Sequence, residues 1–129
     1  MLRLIATHGA PTPAGHYSQG VVHDGLVHVS GQLPIDPATG IVIDGDIEAQ
    51  AERTLLNVEA VLLAAGSTLQ DVVSMMVFVT DRSDWAAVNS VCERRFGAHR
   101  PARSVVGGAD LKPGCRVEIT AIGVIRETR

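Results

Sequence analysis

Two charged side chains near the end of this 129-residue chain fall within strand patterns, where an ionised group that becomes buried is costly unless it has a partner or a task. In Arg100-Pro101-Ala102-Arg103-Ser104, Arg103 opens a strand pattern straight after a helical pattern and a loop. Its guanidinium is planar and permanently charged, suited to a bidentate grip on a small carboxylate. Spacing alone favours the plainer alternative, an ion pair with Asp or Glu. In Val117-Glu118-Ile119 a carboxylate interrupts the final apolar strand pattern. Burial there would raise its pKa and let it exchange protons with water or a substrate, while a carboxylate paired at an edge or interface is an equal reading.

Other chemistries find less support. His23 and His28 fall diagonally on one face of a hairpin pattern, but no Cys, Asp or Glu completes a ligand set at recognisable spacing, and His8, His16 and His99 form no motif. No metal is expected. Ser18 and Ser30 lack the G-x-S-x-G elbow of a serine nucleophile. Neither G-x-G-x-x-G nor G-x-x-x-x-G-K-S/T occurs, so no nucleotide or other cofactor is expected. Cys92 and Cys115 belong to no C-x-x-C pair and read as small reduced side chains.

Composition narrows the partners. A net charge of -3, scattered basic residues and 3% aromatics leave little with which to hold or stack nucleic acid, so none is expected as a partner. Arg94-Arg95 reads as a solvated helix face. The chain length and the absence of a linker composition predict a single domain over residues 1–129. No apolar run approaches the roughly 18 residues a membrane span needs, and the N-terminus has no basic, apolar, small-residue signal pattern. The expectation is a soluble cytoplasmic protein without a membrane partner.

The elements that must position Arg103 and Glu118 follow from periodicity. Leu2–Ala6 is a short edge-strand pattern. Gln19–His23 and Leu26–Ser30 flank Asp24-Gly25, the dipeptide of a type I′ turn. That turn pairs His23 with Leu26, Val21 with His28, Gln19 with Ser30 and, without a bulge, Tyr17 with Gln32, placing Tyr17, Gln19, Ser30 and Gln32 on one face. Gly31 is where a bulge could break the register. Asp46 is an N-cap for a helix whose stripe is Ile47, Ala51, Leu55, Val58 and Leu62 and whose stop is Gly66. Val72–Thr80 is apolar at both parities and reads as a central strand covered on both faces. Asp84 can cap a second helix with Trp85, Val88, Cys92 and Phe96 buried and Gly97 as its end. Strands from Arg103 to Gly107 and Cys115 to Ile125 follow. The order predicts an α+β fold, a mixed sheet of about six strands with two helices on one face. Two helices cover one face only, so the apolar groups on the other call for another subunit, with a polar pocket at the seam a natural site.

At these residues the sequence resembles the RidA (YjgF) family of enamine/imine deaminases. The likeness runs through Tyr17-Ser18-Gln19, Val29-Ser30-Gly31-Gln32, Asp36-Pro37-Ala38-Thr39-Gly40, Gln50 to Asn57, Ala64-Ala65-Gly66, Val77 to Asp81 and Val88-Asn89. It closes with Pro101-Ala102-Arg103-Ser104 and Val117-Glu118-Ile119.

The resemblance implies a chorismate-mutase-like fold assembled as a homotrimer, with ligand sites in the clefts between subunits. It implies hydrolysis of 2-aminoacrylate and related 2-imino acids to 2-keto acids and ammonia, without a cofactor. Arg103 would bind the substrate carboxylate, reversing the preference that spacing gave, and Glu118 would hold or activate water. Tyr17, Ser30 and Val105 would line the cleft, and Asn89 matches a secondary position there. Val105 stands where well-studied members carry cysteine, Cys92 where the family usually has tyrosine, and His16 where a proline usually precedes the tyrosine. These departures bear on pocket shape and on which imine is preferred. Two other functions compete: a trimeric protein that binds or senses a small carboxylate without turnover, and, less expected, a ribonuclease.

Overall fold

Asp24 and Gly25 take the positive φ angles a type I′ turn demands, 55° and 79°. The turn joins β2 (Gly20–His23) to β3 (Leu26–Gln32) with His23 opposite Leu26 and Val21 opposite His28. In this computed structural model, which describes residues 1–126, β1 (Arg3–Ile5) lies along β2 as one edge of the sheet. The hairpin ladder continues through the Ser30 N–H, which donates to the Gln19 carbonyl at 2.9 Å, and goes no further. Tyr17 turns away in a loop, its N–H bonded to the Gly15 carbonyl, so it does not face Gln32. The face expected to unite Tyr17, Gln19, Ser30 and Gln32 is therefore divided: Gln19 and Gln32 are buried, while Tyr17 is 52% exposed.

Helix α1 (Ile47–Ala65) begins where Asp46 accepts a hydrogen bond from the Ala49 N–H at 2.9 Å, and it ends at Gly66 with φ 90°. Ala51, Leu55, Val58, Val61 and Leu62 are buried on its inner face against the sheet. Burying each of the larger ones stabilises the fold by about 2 kcal/mol. Between α1 and the next helix runs β6 (Val72–Val79), and helix α2 (Trp85–Phe96) then crosses back to β7 (Ala102–Val106). This crossover makes β6 and β7 the parallel pair of the sheet. The final strand, β8 (Val117–Val124), inserts between β3 and β6, completing a six-stranded mixed sheet in the order β1-β2-β3-β8-β6-β7. The turn-rich Pro34–Gly40 segment contributes a separate small hairpin of β4 (Ile35–Asp36) and β5 (Ile41–Val42).

Two expectations about α2 are corrected. Trp85 is 45% exposed rather than part of the buried stripe, which comprises Val88, Val91, Cys92 and Phe96. Asp84 makes no side-chain cap bond; its carboxylate instead receives the Arg116 guanidinium at 2.8 Å. The helices cover one face of the sheet. On the other face Met76, Val106 and Val124 are each 41% exposed, so β6 is covered on one side only within the protomer. No helix among the described residues is long and apolar enough to cross a membrane.

Candidate functional site

Arg103, the second residue of β7, pairs with buried Met75 and so lies on the helix-facing side of the sheet. Its Nη1 donates to Asn89 Oδ1 at 2.9 Å, and its guanidinium carbon lies 5.7 Å from the centre of the Trp85 ring. Trp85, Asn89 and Glu93 follow at intervals of four, the repeat that aligns side chains on one helix face. Asn89 is oriented in turn by Glu93, whose Oε1 accepts from Asn89 Nδ2 at 2.9 Å. Beside them, burial pushes the Cys92 thiol pKa up, and the Arg103 charge pulls part of the way back. Arg94, Arg95, Arg116 and Arg126 each pair with a carboxylate, but Arg103 has no acidic partner among the described residues. The ion pair that spacing favoured does not form there. The guanidinium borders a cleft of about 730 Å³ between α2 and the start of β7, whose walls include Cys92, Phe96, His99 and Arg100. A cation held by one neutral acceptor and an aromatic face retains its charge for an external anion.

Glu118 occupies β8 opposite Phe78. Burial pushes its carboxyl pKa up from the ordinary value, and no hydrogen bond or ion pair among the described residues offsets that loss of water. Gly31 makes the space: a Cβ at that position would overlap the Glu118 carboxylate. The β3–β8 register shifts between Val29 and Gln32, so Ser30 and Gly31 form the bulge that brings this bare backbone under the acid. Because the obstructed atoms end a flexible side chain, Gly31→Ala should keep the fold and displace the carboxylate. The expected outcome is a Glu118 pKa moved back toward that of an ordinary glutamate, read by NMR titration; an unchanged value would contradict this packing.

The remaining expected residues divide between structure and surface. Ser30 Oγ donates to the Ser18 carbonyl at 2.5 Å, tying β3 to the segment before β2. Gln19 pins the N-terminal loop by accepting from the Thr7 N–H and donating to the carbonyls of Thr7, Ala10 and Pro11. Tyr17 borders a second cleft of about 400 Å³ with Leu4, Thr12 and Ser18, and its hydroxyl accepts from the Ala14 N–H at 3.4 Å. Val105, opposite Val77, shares the Arg103 face and packs half-buried against the core.

Register separates the two charged candidates. Arg103 lies beside Met75 and Glu118 beside Phe78, three residues along the same strand, so their side chains leave opposite faces of the sheet. One protomer therefore unites Arg103 with Asn89 and, separately, Glu118 with Gly31. Sequence reading missed Trp85 and Gly31 as members of these clusters. The four-residue spacing from Trp85 to Asn89 was the available signal for the first, and the glycine inside a strand for the second.

A family profile described as Endoribonuclease L-PSP matches residues 7–125. The chain is 45% identical over 129 residues, 98% of this chain and 100% of the relative, to the 2-iminobutanoate/2-iminopropanoate deaminase of Salmonella typhimurium. It superposes on RidA from the Antarctic bacterium Psychrobacter with TM-score 0.91, 41% identity and coverage of 95% and 99% of the two chains. It also superposes on Escherichia coli TdcF with bound serine, at TM-score 0.90, 40% identity and coverage of 96% and 99%.

Proposed function

The chain belongs to the RidA (YjgF) family, whose profile carries the description Endoribonuclease L-PSP, and from that premise we propose that it is an enamine/imine deaminase. Its substrates are 2-iminopropanoate and 2-iminobutanoate, the two imines in the name of its Salmonella relative, together with their enamine tautomers, such as 2-aminoacrylate, which the family resemblance implies. Its products are the corresponding 2-keto acid and ammonia. The observation that carries this reading is Arg103, a cation at an open cleft whose charge no described carboxylate neutralises. TdcF with bound serine sets a precedent for an amino acid ligand on this fold.

The chemistry asks little of the protein. The enamine tautomerises to the imine, water adds to the electrophilic imine carbon, and the tetrahedral adduct expels ammonia as its C–N bond breaks. An anchored carboxylate, one placed water and one proton carrier suffice. Arg103 is the anchor. Glu118 is the proton carrier, because burial raises its pKa and so makes its protonated form easier to reach than that of an ordinary glutamate.

Assembly follows from the need to bring these groups to one small molecule. Arg103 and Glu118 leave opposite faces of one sheet, so a site containing both takes the Arg103 edge of one protomer and the Glu118 face of its neighbour. Two different patches meeting head to tail close into a ring rather than a twofold pair. We take that ring to be the chorismate-mutase-like homotrimer that the family resemblance implies, its contacts covering Met76, Val106 and Val124. Ser30 and Tyr17 belong to the Glu118 side of the cleft, and Asn89 and Val105 to the Arg103 side.

The test is ammonia release from imines formed in situ from alanine and 2-aminobutanoate by an amino acid oxidase. Faster release than the spontaneous rate supports the reading, and release at the spontaneous rate overturns it. Because the family description names an endoribonuclease, the same preparation should be assayed on RNA; cleavage lost in Arg103→Ala would favour that activity instead. Asn89→Asp offers a sharper probe of the anchor. It is nearly isosteric but hands Arg103 a carboxylate at hydrogen-bond distance, so KM for the imine should rise about tenfold or more, while the melting temperature moves little because the new ion pair offsets the lost bond to Glu93. An unchanged KM would show that the guanidinium does not need its free charge.

A further inference from the structure

Trp85 is the one tryptophan in the sequence, and as the first residue of α2 it leaves 45% of its surface exposed. An exposed indole keeps a face available for contacts that an aliphatic side chain cannot make. Its ring lies 5.7 Å from the Arg103 guanidinium carbon, within the range of a cation–π contact. We propose that Trp85 is a positioning residue for the reaction, holding Arg103 in the orientation that grips the substrate carboxylate; the proposal rests on the anchor role assigned to Arg103 above.

Few partners can hold an arginine without disabling it. A carboxylate would immobilise the guanidinium but occupy its N–H groups and neutralise its charge. An aromatic face attracts the cation through its quadrupole and takes none of those N–H groups. Asn89 takes one of them at Nη1, fixing rotation about the guanidinium axis, and Trp85 restrains the group from its side. Together they hold a long, rotamer-rich side chain while leaving N–H groups and a full charge for the substrate. The four-residue interval between Trp85 and Asn89 places both restraints on one face of α2.

Trp85 also supplies its own readout. Titrating the intact protein with 2-oxobutanoate, an unreactive 2-keto acid, should change tryptophan fluorescence saturably, because a carboxylate on Arg103 alters the charge beside the indole. The change should vanish in Arg103→Ala. In kinetics, Trp85→Leu should raise KM for 2-iminopropanoate by roughly three- to tenfold with kcat within about twofold, and Trp85→Phe should recover most of the loss. A purely structural tryptophan would lower the melting temperature of both variants without this split. Wild-type KM in Trp85→Leu, or keto acid binding by calorimetry with silent fluorescence, overturns the proposal. If no imine is turned over but the fluorescence response persists and depends on Arg103, the deaminase reading falls and the Trp85 restraint stands.

Discussion

Arg103→Ala is expected to lower kcat/KM for 2-iminopropanoate by about 10² to 10³ while leaving the melting temperature close to that of the native protein. The size follows from the bond removed. Truncating one side of a charge-assisted, partly desolvated contact costs about 2 to 5 kcal/mol, and every 1.4 kcal/mol is a factor of ten. The loss should fall mainly on KM, because the carboxylate is gripped alike before and during water addition. Stability is spared because Arg103 has no described ion pair to lose, only its bond to Asn89 and its contact with Trp85. Arg103→Lys should fall between, since it keeps the charge and loses the planar fork. Steady-state ammonia release on matched protein checks the series. An alanine variant within threefold of wild type would remove Arg103 from the site.

How far this arrangement could be read in advance depends on the range over which each feature is encoded. The turn at Asp24-Gly25, the cap at Asp46 and the stop at Gly66 are settled by a few neighbouring residues, and each was legible. Arg103 and Glu118 were legible as candidates because one opens a strand pattern after a helix and a loop and the other interrupts an apolar strand. The relation between them was not. It depends on which residue of β6 each one faces, and a shift of one residue in either ladder would move a side chain to the other side of the sheet. The Ser30-Gly31 bulge shows the same limit, for glycine marked a break in register but not what would occupy the space. Trp85 was misread because helical periodicity counts it as apolar and cannot anticipate a guanidinium arriving from β7, eighteen residues later in the chain. Asp84, read as a cap, found in Arg116 a stronger partner from β8's approach.

Glu118→Gln should separate function from stability, and in opposite directions. Loss of a proton-transferring group costs about 10² to 10⁴ in kcat. The folded state, however, should gain. Burial raises the Glu118 pKa above its unfolded value, so this carboxyl favours the fold while protonated and loses that contribution as pH rises through its folded pKa. At neutral pH the native protein carries the cost of a desolvated charge that glutamine does not. The melting temperature of Glu118→Gln should therefore exceed wild type at pH 7, with the gap closing as pH falls below about 4, the range in which glutamate becomes protonated in the unfolded state as well. A gap that widens on acidification would mean that the charged form is the stabilised one and that Glu118 has an anionic task with a partner. Mixing the two impaired proteins, assayed with the imine well below KM, then tests where the site lies. Arg103→Ala retains the carboxylate and Glu118→Gln retains the fork, so only a junction between unlike chains contains both. Co-refolded in equal amounts and assorting at random into rings, they should restore about a quarter of wild-type activity, since each junction needs the right chain on both sides. Activity no greater than that of the separate variants would place both groups within a single protomer's reach or assign one of them no part in turnover.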